Sequence, residues 1–320
     1  MTRAVDAVSL AEVHVAQARL AGIAERTPVV RCQAGSGCEV FLKLETLQPI
    51  GSFKIRPVGN AVLARAAASL GAGLYTCSSG NSAVAVAWVA QRLNVAATAV
   101  VTDAAPEAKL ARLRALGARI RQLPFDSWWH AVEVCRVEGE AGTYVDAVRD
   151  PAALAGDGTL GIEILEQLPG LEAIFTPFGG GALACGIACA VRALNPQVKV
   201  IACELDSAQP FAAALRAGGV VRTESRPGFV SGVGFHTLLA QMWPLCREMI
   251  DGVLTVTLAE VAAAIRLMAE GNKVIAEGAG AVPVAAALSG RHPYRRVCAV
   301  VSGGNLGNEA LTTILAGGIP

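Results

Sequence analysis

The chain has 320 residues, of which 53% are hydrophobic and 17% are charged, and its formal net charge is +1. This composition supports a large buried core with two lobes, and the near-neutral charge argues against binding of nucleic acid or a membrane surface through bulk electrostatics. No apolar run reaches the ~18 residues of a membrane-spanning helix. The N-terminus carries Asp6, Glu12 and His14 where a signal peptide needs an apolar core. We expect a cytoplasmic protein.

Apolar, β-branched runs alternate with alanine-rich segments of helical period along the chain. Strands are predicted at 39–45, 73–77, 97–102, 172–178, 198–204, 252–257 and 295–303. Helices are predicted at 8–24, 56–70, 81–94, 106–116, 128–140, 159–168, 182–194, 208–217, 258–270, 278–289 and 305–315. The alternation predicts an α/β protein with two open, doubly wound lobes, each a parallel sheet covered by helices on both faces.

Two loop-rich stretches interrupt this rhythm. Residues 141–160 are rich in Gly, Asp and Pro, and we interpret them as a loop at a domain crossing. Residues 218–235 are interpreted either as an active-site loop or as an excursion of the larger lobe. The predicted domains are a large one from 1–68 and 149–320 and a small one from 69–148.

Nine cysteines and four histidines are scattered along the chain. The absence of a Cys-x-x-Cys motif argues against a zinc ribbon or a dithiol redox site. We predict that the cysteines are buried, reduced thiols. No catalytic triad or metal-ligand array can be assembled from the histidines.

Lys54 lies between Phe53 and Ile55, directly after a Pro-x-Gly turn. Lysines usually extend into solvent, so this apolar setting is unusual. Burial depresses the pKa of a lysine and favours the neutral amine, which is the form that attacks an aldehyde.

Three predicted strands run into turns rich in Gly and Ser at which a helix begins, and ligands of α/β proteins bind at such places. The turns are Ser-Ser-Gly-Asn-Ser from residue 78, Gly-Gly-Gly-Ala from 179 and Ser-Gly-Gly-Asn from 302. Glycines let backbone N–H groups approach a phosphate. The alternative for the first turn is an ordinary helix start with Ser or Asn as the N-cap.

A dinucleotide site is a competing interpretation. Gly179, Gly181 and Ala184 satisfy a relaxed dinucleotide fingerprint, and Glu204 lies where an acidic residue would hold a ribose. An NAD-dependent dehydrogenase would leave Lys54 and the two serine-rich turns unexplained.

A longer motif surrounds Lys54. Residues 43–56, KLETLQPIGSFKIR, contain the pattern K-x-E-x-x-x-P-x-G-S-F-K-x-R. This pattern closely resembles the pyridoxal-phosphate attachment site of the serine/threonine dehydratase family, which includes serine racemase. The later turns follow in the family's order, so the resemblance extends from about residue 10 to 315. It implies the tryptophan synthase beta-like fold of type II pyridoxal-phosphate enzymes.

The resemblance also implies roles for individual residues. Lys54 would hold the cofactor as a Schiff base and serve as the base at Cα, with Phe53 packed beside the cofactor ring. Asn81 would bind the ring's 3-hydroxyl, and Ser302 would face its nitrogen. The phosphate would lie against the backbone of Gly179, Gly180, Gly181, Ala182 and Leu183. The substrate carboxylate would lie against Ser78, Ser79, Gly80, Asn81 and Ser82.

The implied reaction is elimination of water from a β-hydroxy amino acid such as L-threonine or L-serine, followed by hydrolysis to a 2-oxo acid and ammonia. A neutral serine at the ring nitrogen favours prompt departure of the leaving group over a long-lived carbanion. Racemisation, with Ser79 as a second acid–base group, and dehydration of 3-hydroxyaspartate remain alternatives. The family implies a homodimer.

The chain also departs from the family pattern. Ser82 replaces a histidine, Ala182 a fourth glycine and Pro57 a glycine, while Val148 stands where relatives often carry Asn or Phe. Some relatives hold a divalent cation through a glutamate that Glu204 matches, but Pro210 stands in place of the second acid, so we predict no metal site. Glu277 would either cap a helix or lie near the cofactor.

Overall fold

Two sheets organise the chain, which the computed structural model describes at residues 3–34, 37–226 and 228–320. The order in the larger sheet is β1 (Val29–Arg31), β2 (Glu39–Leu44), β10 (Arg296–Val301), β7 (Ala173–Pro177), β8 (Lys199–Leu205) and β9 (Gly252–Val256). All neighbours in it are parallel except β1 and β2. The smaller, parallel sheet has the order β5 (Arg119–Leu123), β4 (Ala97–Thr102), β3 (Leu74–Cys77) and β6 (Thr143–Tyr144).

Helices cover both sheets. They are α1 (Leu10–Arg19), α2 (Ile55–Leu63), α3 (Asn81–Leu93), α4 (Glu107–Ala115), α5 (Phe125–Val134), α6 (Pro151–Gln167), α7 (Ala182–Leu194), α8 (Pro210–Ala217), α9 (Trp243–Met249), α10 (Leu258–Leu267), α11 (Gly278–Leu288) and α12 (Asn308–Leu315). None of the described helices has the length and apolar character that crossing a bilayer requires.

The strongly apolar strands were predicted because their burial on both faces leaves a continuous hydrophobic run. Every residue of β3 and β7, for example, is buried. The prediction of two parallel-sheet α/β lobes is confirmed. The sequence analysis missed β1, β5, β6 and α9, because β1, β6 and α9 are very short and β5 is rich in charged and polar residues.

The prediction of a loop over all of 141–160 was wrong in its second half. Helix α6 begins at Pro151, with Asp150 as an N-cap that accepts a hydrogen bond from the backbone N–H of Ala152. The glycines in this helix are packing positions rather than turn signals. A Cβ atom at Gly156 would lie 2.5 Å from the carbonyl oxygen of Arg56, and one at Gly161 would lie 2.9 Å from that of Ile187.

Other helix boundaries also differ from prediction, for example that of α1, which spans Leu10–Arg19 rather than 8–24. Helix α2 ends at Leu63 rather than at residue 70, and a short 3-10 turn follows at Ala67–Leu70. Helix α10 ends at Leu267 and continues as one π-helical turn, Met268–Asn272. Helix α5 begins at Phe125, three residues before its predicted start. Residues 218–235 contain no regular helix or strand in their described part.

Candidate active site

A cavity of about 330 Å³ opens where β3, β7 and β10 end. Residues of both sheets' loops line it, including Val145 after β6 and Pro177 at the end of β7. The structure brings every predicted site residue to this cavity: Phe53, Lys54, Ser78, Ser79, Gly80, Asn81, Ser82, Gly179, Gly180, Gly181, Ala182, Leu183 and Ser302. Within the larger sheet, the turns after the parallel strands β7 and β10 lie at one edge, and the turn after β3 of the smaller sheet faces the same cavity.

Lys54 is the N-cap residue of α2, and its half-buried side chain faces the cavity. Its Nζ atom lies 4.7 Å from the centroid of the Phe53 ring. Burial lowers the pKa of Lys54, although the carboxylates of Asp157 and Asp146 oppose this effect. The site therefore shifts the lysine toward the neutral amine that imine formation requires.

Backbone contacts fix the segment before Lys54 against the turn that follows β10. The N–H of Phe53 donates to the carbonyl oxygen of Ser302 at 2.9 Å, and Ser52 forms an isolated antiparallel bridge with Gly303. The attachment segment and the third predicted turn are thus one structural unit.

A buried network of charges supports the same segment. The Arg56 guanidinium forms ion pairs with Glu45 at 2.8 Å and with Glu163 at 2.7 Å, and Lys43 pairs with Glu163 at 2.6 Å. Burial alone would raise the pKa of Glu45, but the Arg56 charge and hydrogen bonds lower it overall. Three residues of the motif therefore lie in the core and hold the segment of Lys54 in place: Lys43, Glu45 and Arg56.

The N-cap residue of α3 is Gly80, so the alternative of a Ser or Asn N-cap was wrong. No side chain of the described residues caps this helix; Ser78 Oγ instead accepts from the N–H of Gly80 at 3.1 Å. Uncapped N–H groups at a helix start form a seat for an anion. This arrangement suits a substrate carboxylate.

Helix α7 begins in a similar way. Its N-cap is Gly181, whose φ of +88° favours glycine, and no described side chain caps the helix. A Cβ at Gly179 would lie 2.3 Å from the carbonyl oxygen of Gly232. Residue 179 therefore needs to be a glycine, and this loop lines the cavity with its backbone. The donors at this start suit a phosphate group.

A chain of amide and carboxyl groups orients Asn81. Its Nδ2 donates to Glu277 Oε1 at 2.6 Å, and its Oδ1 accepts from Asn305 Nδ2 at 2.7 Å. Burial raises the pKa of Glu277 to about 7, against the hydrogen bond from Asn81 and the charges of Lys109 and Arg112. Glu277 is the N-cap residue of α11 but its side chain makes no capping hydrogen bond among the described residues, and it lines the cavity instead.

Glu204 is fully buried away from the cavity. Its carboxylate accepts hydrogen bonds from the N–H groups of Phe211 and Ala212 at the start of α8. Both carboxylate oxygens of Glu204 are thus hydrogen-bonded to the start of α8, and Glu204 is not among the residues that line the cavity. Among the described residues, no group of three or more His, Cys, Asp or Glu side chains could hold a metal ion.

The sequence did not indicate the aromatic contact at this site. The Trp129 ring on α5 packs against the His236 ring at a centroid distance of 4.8 Å. Trp129 lines the cavity together with Phe235. This contact joins the smaller-sheet part of the protein to the loop 218–235.

Comparison with known proteins agrees with this geometry. The family model described as pyridoxal-phosphate dependent enzyme matches residues 20–303. The chain is 34% identical over 319 residues to L-threonine ammonia-lyase from Thermotoga maritima, covering 98% of this chain and 79% of the relative. It is 30% identical to the catabolic L-threonine dehydratase of Escherichia coli, covering 93% of each chain.

Solved structures show the same likeness. The structure of maize serine racemase superposes with a TM-score of 0.89 at 30% identity and covers 98% of each chain. The fold is therefore that of the type II pyridoxal-phosphate enzymes, with two parallel-sheet α/β lobes. Together with the geometry of the cavity, these matches show that the chain belongs to the family of pyridoxal-phosphate dependent enzymes of the serine/threonine dehydratase type.

Proposed function

We propose that this protein is a pyridoxal-phosphate-dependent ammonia-lyase that removes water from L-threonine or L-serine. The observation that carries the proposal is that Lys54 faces the same cavity as two uncapped helix starts. Relatives named as threonine ammonia-lyases and dehydratases support this activity. The products would be a 2-oxo acid and ammonia.

The cofactor fits the residues that line the cavity. The open backbone of Gly179, Gly180, Gly181, Ala182 and Leu183 would hold its phosphate, with Phe53 beside its ring. Asn81, oriented by Glu277, would meet the ring's hydroxyl, and Ser302 its nitrogen. When bound, the cofactor supplies an electron sink for the carbanion at Cα.

Protein groups would do the remaining work. The turn Ser78–Ser82 would bind the substrate carboxylate through the N–H groups at the start of α3. Lys54 would attach the cofactor, then remove the Cα proton as a neutral amine and hold it on Nζ. Burial lowers the pKa of Lys54, which favours this exchange by increasing the share of neutral amine. The uncharged hydroxyl of Ser302 would face the ring nitrogen in place of a carboxylate, and this favours loss of water over transamination.

Borohydride reduction tests the attachment. The cavity is lined by two lysines among the described residues, Lys54 and Lys109. We expect mass spectrometry of the reduced holoprotein to find the cofactor on Lys54, and Lys54→Ala to lose it while Lys109→Ala retains it. An adduct that persists in Lys54→Ala would overturn the assignment. Release of 2-oxo acid from L-threonine, L-serine, 3-hydroxyaspartate and phenylserine then identifies the substrate.

Racemisation is a second candidate activity, because Ser79 lines the same cavity as Lys54 and a serine racemase is a structural relative. Ser79 would carry the second proton exchange at Cα. Incubation with L-serine in heavy water separates the two activities. D-serine with deuterium at Cα indicates a racemase, and its loss in Ser79→Ala assigns the residue. Formation of 2-oxo acid alone leaves only the lyase.

We also propose a large domain of residues 1–68 and 149–320, a small domain of 69–148, a homodimer and a cytoplasmic location. The smaller sheet, with strands only between Leu74 and Tyr144, supports the domain division. The free thiols of the buried cysteines support a reducing compartment. Sedimentation equilibrium tests the dimer, and limited proteolysis near residues 68 and 148 tests the boundaries.

A further inference from the structure

Asp157 is a fully buried carboxyl group that the proposed reaction leaves without a role. It lies in α6 between Gly156 and Gly158 and is 0% exposed. Neither of its carboxylate oxygens has a hydrogen-bond partner among the residues that the structure describes. Such groups are rare in native proteins because an unsatisfied buried carboxylate costs stability, so the position calls for a functional explanation.

The packing of α6 places Asp157 beneath the two segments that form the cavity. A Cβ at Gly156 would meet the backbone of Arg56, two residues after Lys54. A Cβ at Gly186 of α7 would lie 2.6 Å from the Cβ of Asp157. Asp157 therefore lies where α6 packs between the helix that follows Lys54 and the helix that follows the glycine turn.

Lys54 is the cation near Asp157 that lacks a direct carboxylate partner. It forms no ion pair within 4.0 Å among the described residues, whereas Arg56 is held by Glu45 and Glu163. Besides burial, the Lys54 charge is the largest influence on the pKa of Asp157, which burial raises to about 7. Conversely, among the nearby charges Asp157 acts most strongly on the pKa of Lys54.

We propose that Asp157, the buried and unpaired carboxyl group where α6 packs between α2 and α7, is a positioning residue that supplies the counter-charge of Lys54. An ionised Asp157 stabilises the ammonium form of Lys54, while a protonated Asp157 releases it. The other groups that face the pair are Arg56, Glu45, Cys185 and Asp146. This inference rests on the proposed role of Lys54.

The test compares the apo-protein with Asp157→Asn. Reductive methylation by formaldehyde and cyanoborohydride is followed against pH, with Lys54 quantified by peptide mass spectrometry. We expect the midpoint of Lys54 labelling to fall by about one pH unit in the variant, because removal of a nearby anion destabilises the ammonium. The pH at which added pyridoxal 5′-phosphate is bound should fall in parallel.

Glu204→Gln is the matched control, because Glu204 is also buried with its pKa raised to about 7 but does not act on Lys54. We expect the control to keep the wild-type midpoint. A midpoint that is unchanged in folded Asp157→Asn, or equally shifted in Glu204→Gln, would overturn the inference. Should Asp157→Asn not fold, Asp157→Ser provides the same measurement.

The experiment separates this inference from the proposed function. If wild-type protein does not attach pyridoxal 5′-phosphate through Lys54, the proposed function fails, although the methylation midpoints still test the charge coupling. If wild-type protein attaches the cofactor but Asp157→Asn leaves both midpoints in place, only the counter-charge role fails.

Discussion

Replacement of Arg56 by methionine tests whether the buried charge network holds the segment that bears Lys54. Arg56 is 2% exposed, and its nitrogens donate hydrogen bonds to Glu45, Glu163, Thr159 and the carbonyl oxygen of Glu25. In Arg56→Met, a methionine fills part of the space but donates nothing. The two carboxylates then share the single remaining cation of the network, Lys43.

The expected loss follows from this imbalance. Glu163 keeps Lys43 at 2.6 Å, and Glu45 keeps hydrogen bonds from Thr27 at 2.6 Å and Gln48 at 3.0 Å. One buried negative charge nevertheless remains uncompensated. Breaking a buried pair in this way costs about 3–5 kcal/mol. For a chain of 320 residues, with an unfolding entropy of about 2.1 cal/mol/K per residue, that corresponds to a fall in Tm of about 4–7 °C.

Thermal unfolding followed by circular dichroism measures the effect. Arg65→Met is the control, because Arg65 lies just beyond the same helix and pairs with Asp150 at 3.0 Å in a less buried setting. Its cost should be about 1 kcal/mol or less. The double variant Arg56→Met/Glu45→Gln restores charge balance and should regain part of the loss. If Arg56→Met costs no more than Arg65→Met, the reasoning about the network is wrong.

Three further predictions concern the cavity. Gly181→Ala places a Cβ 2.4 Å from Cys246 Sγ at a φ of +88°, so equilibrium dialysis should show weaker pyridoxal 5′-phosphate binding; Gly22→Ala, with positive φ but open space, should bind normally, and equal binding by both variants would contradict the clash. Burial raises the pKa of Glu277 from 4.5 to about 7, so between these values the folded state binds more protons than the unfolded state, and the free energy of unfolding falls as the pH rises. Urea titrations at several pH values should show a shallower fall in Glu277→Gln, with a difference of about 3 kcal/mol at most. Parallel curves for the two proteins would refute this. Trp129→Ala removes the 4.8 Å ring contact with His236 and should raise KM more than it lowers kcat in steady-state assays. An unchanged KM would contradict a role of this contact in substrate binding.

The sequence alone determined the elements with strong local signals. Buried strands such as Ala97–Thr102 and helices such as Ala182–Leu194 occur where the periodicity placed them. Part of the candidate site was predictable from topology, because a parallel sheet brings the turns at Gly179 and Ser302 to one edge. The turn at Ser78 follows a strand of the other sheet, so its assignment to one cavity with Lys54 came from the family resemblance.

The tertiary structure decided what depends on contacts between distant segments. Glycines in α6 indicated a loop by composition, but they permit close approach of α2 and α7, and periodicity carries no information on such neighbours. The hydrogen bond between Asn81 and Glu277 spans 196 residues. The placement of Asp157 near Lys54 is likewise a product of helix packing. A pKa depends on burial and nearby charge in space, so only the folded chain sets the electrostatics of Lys54.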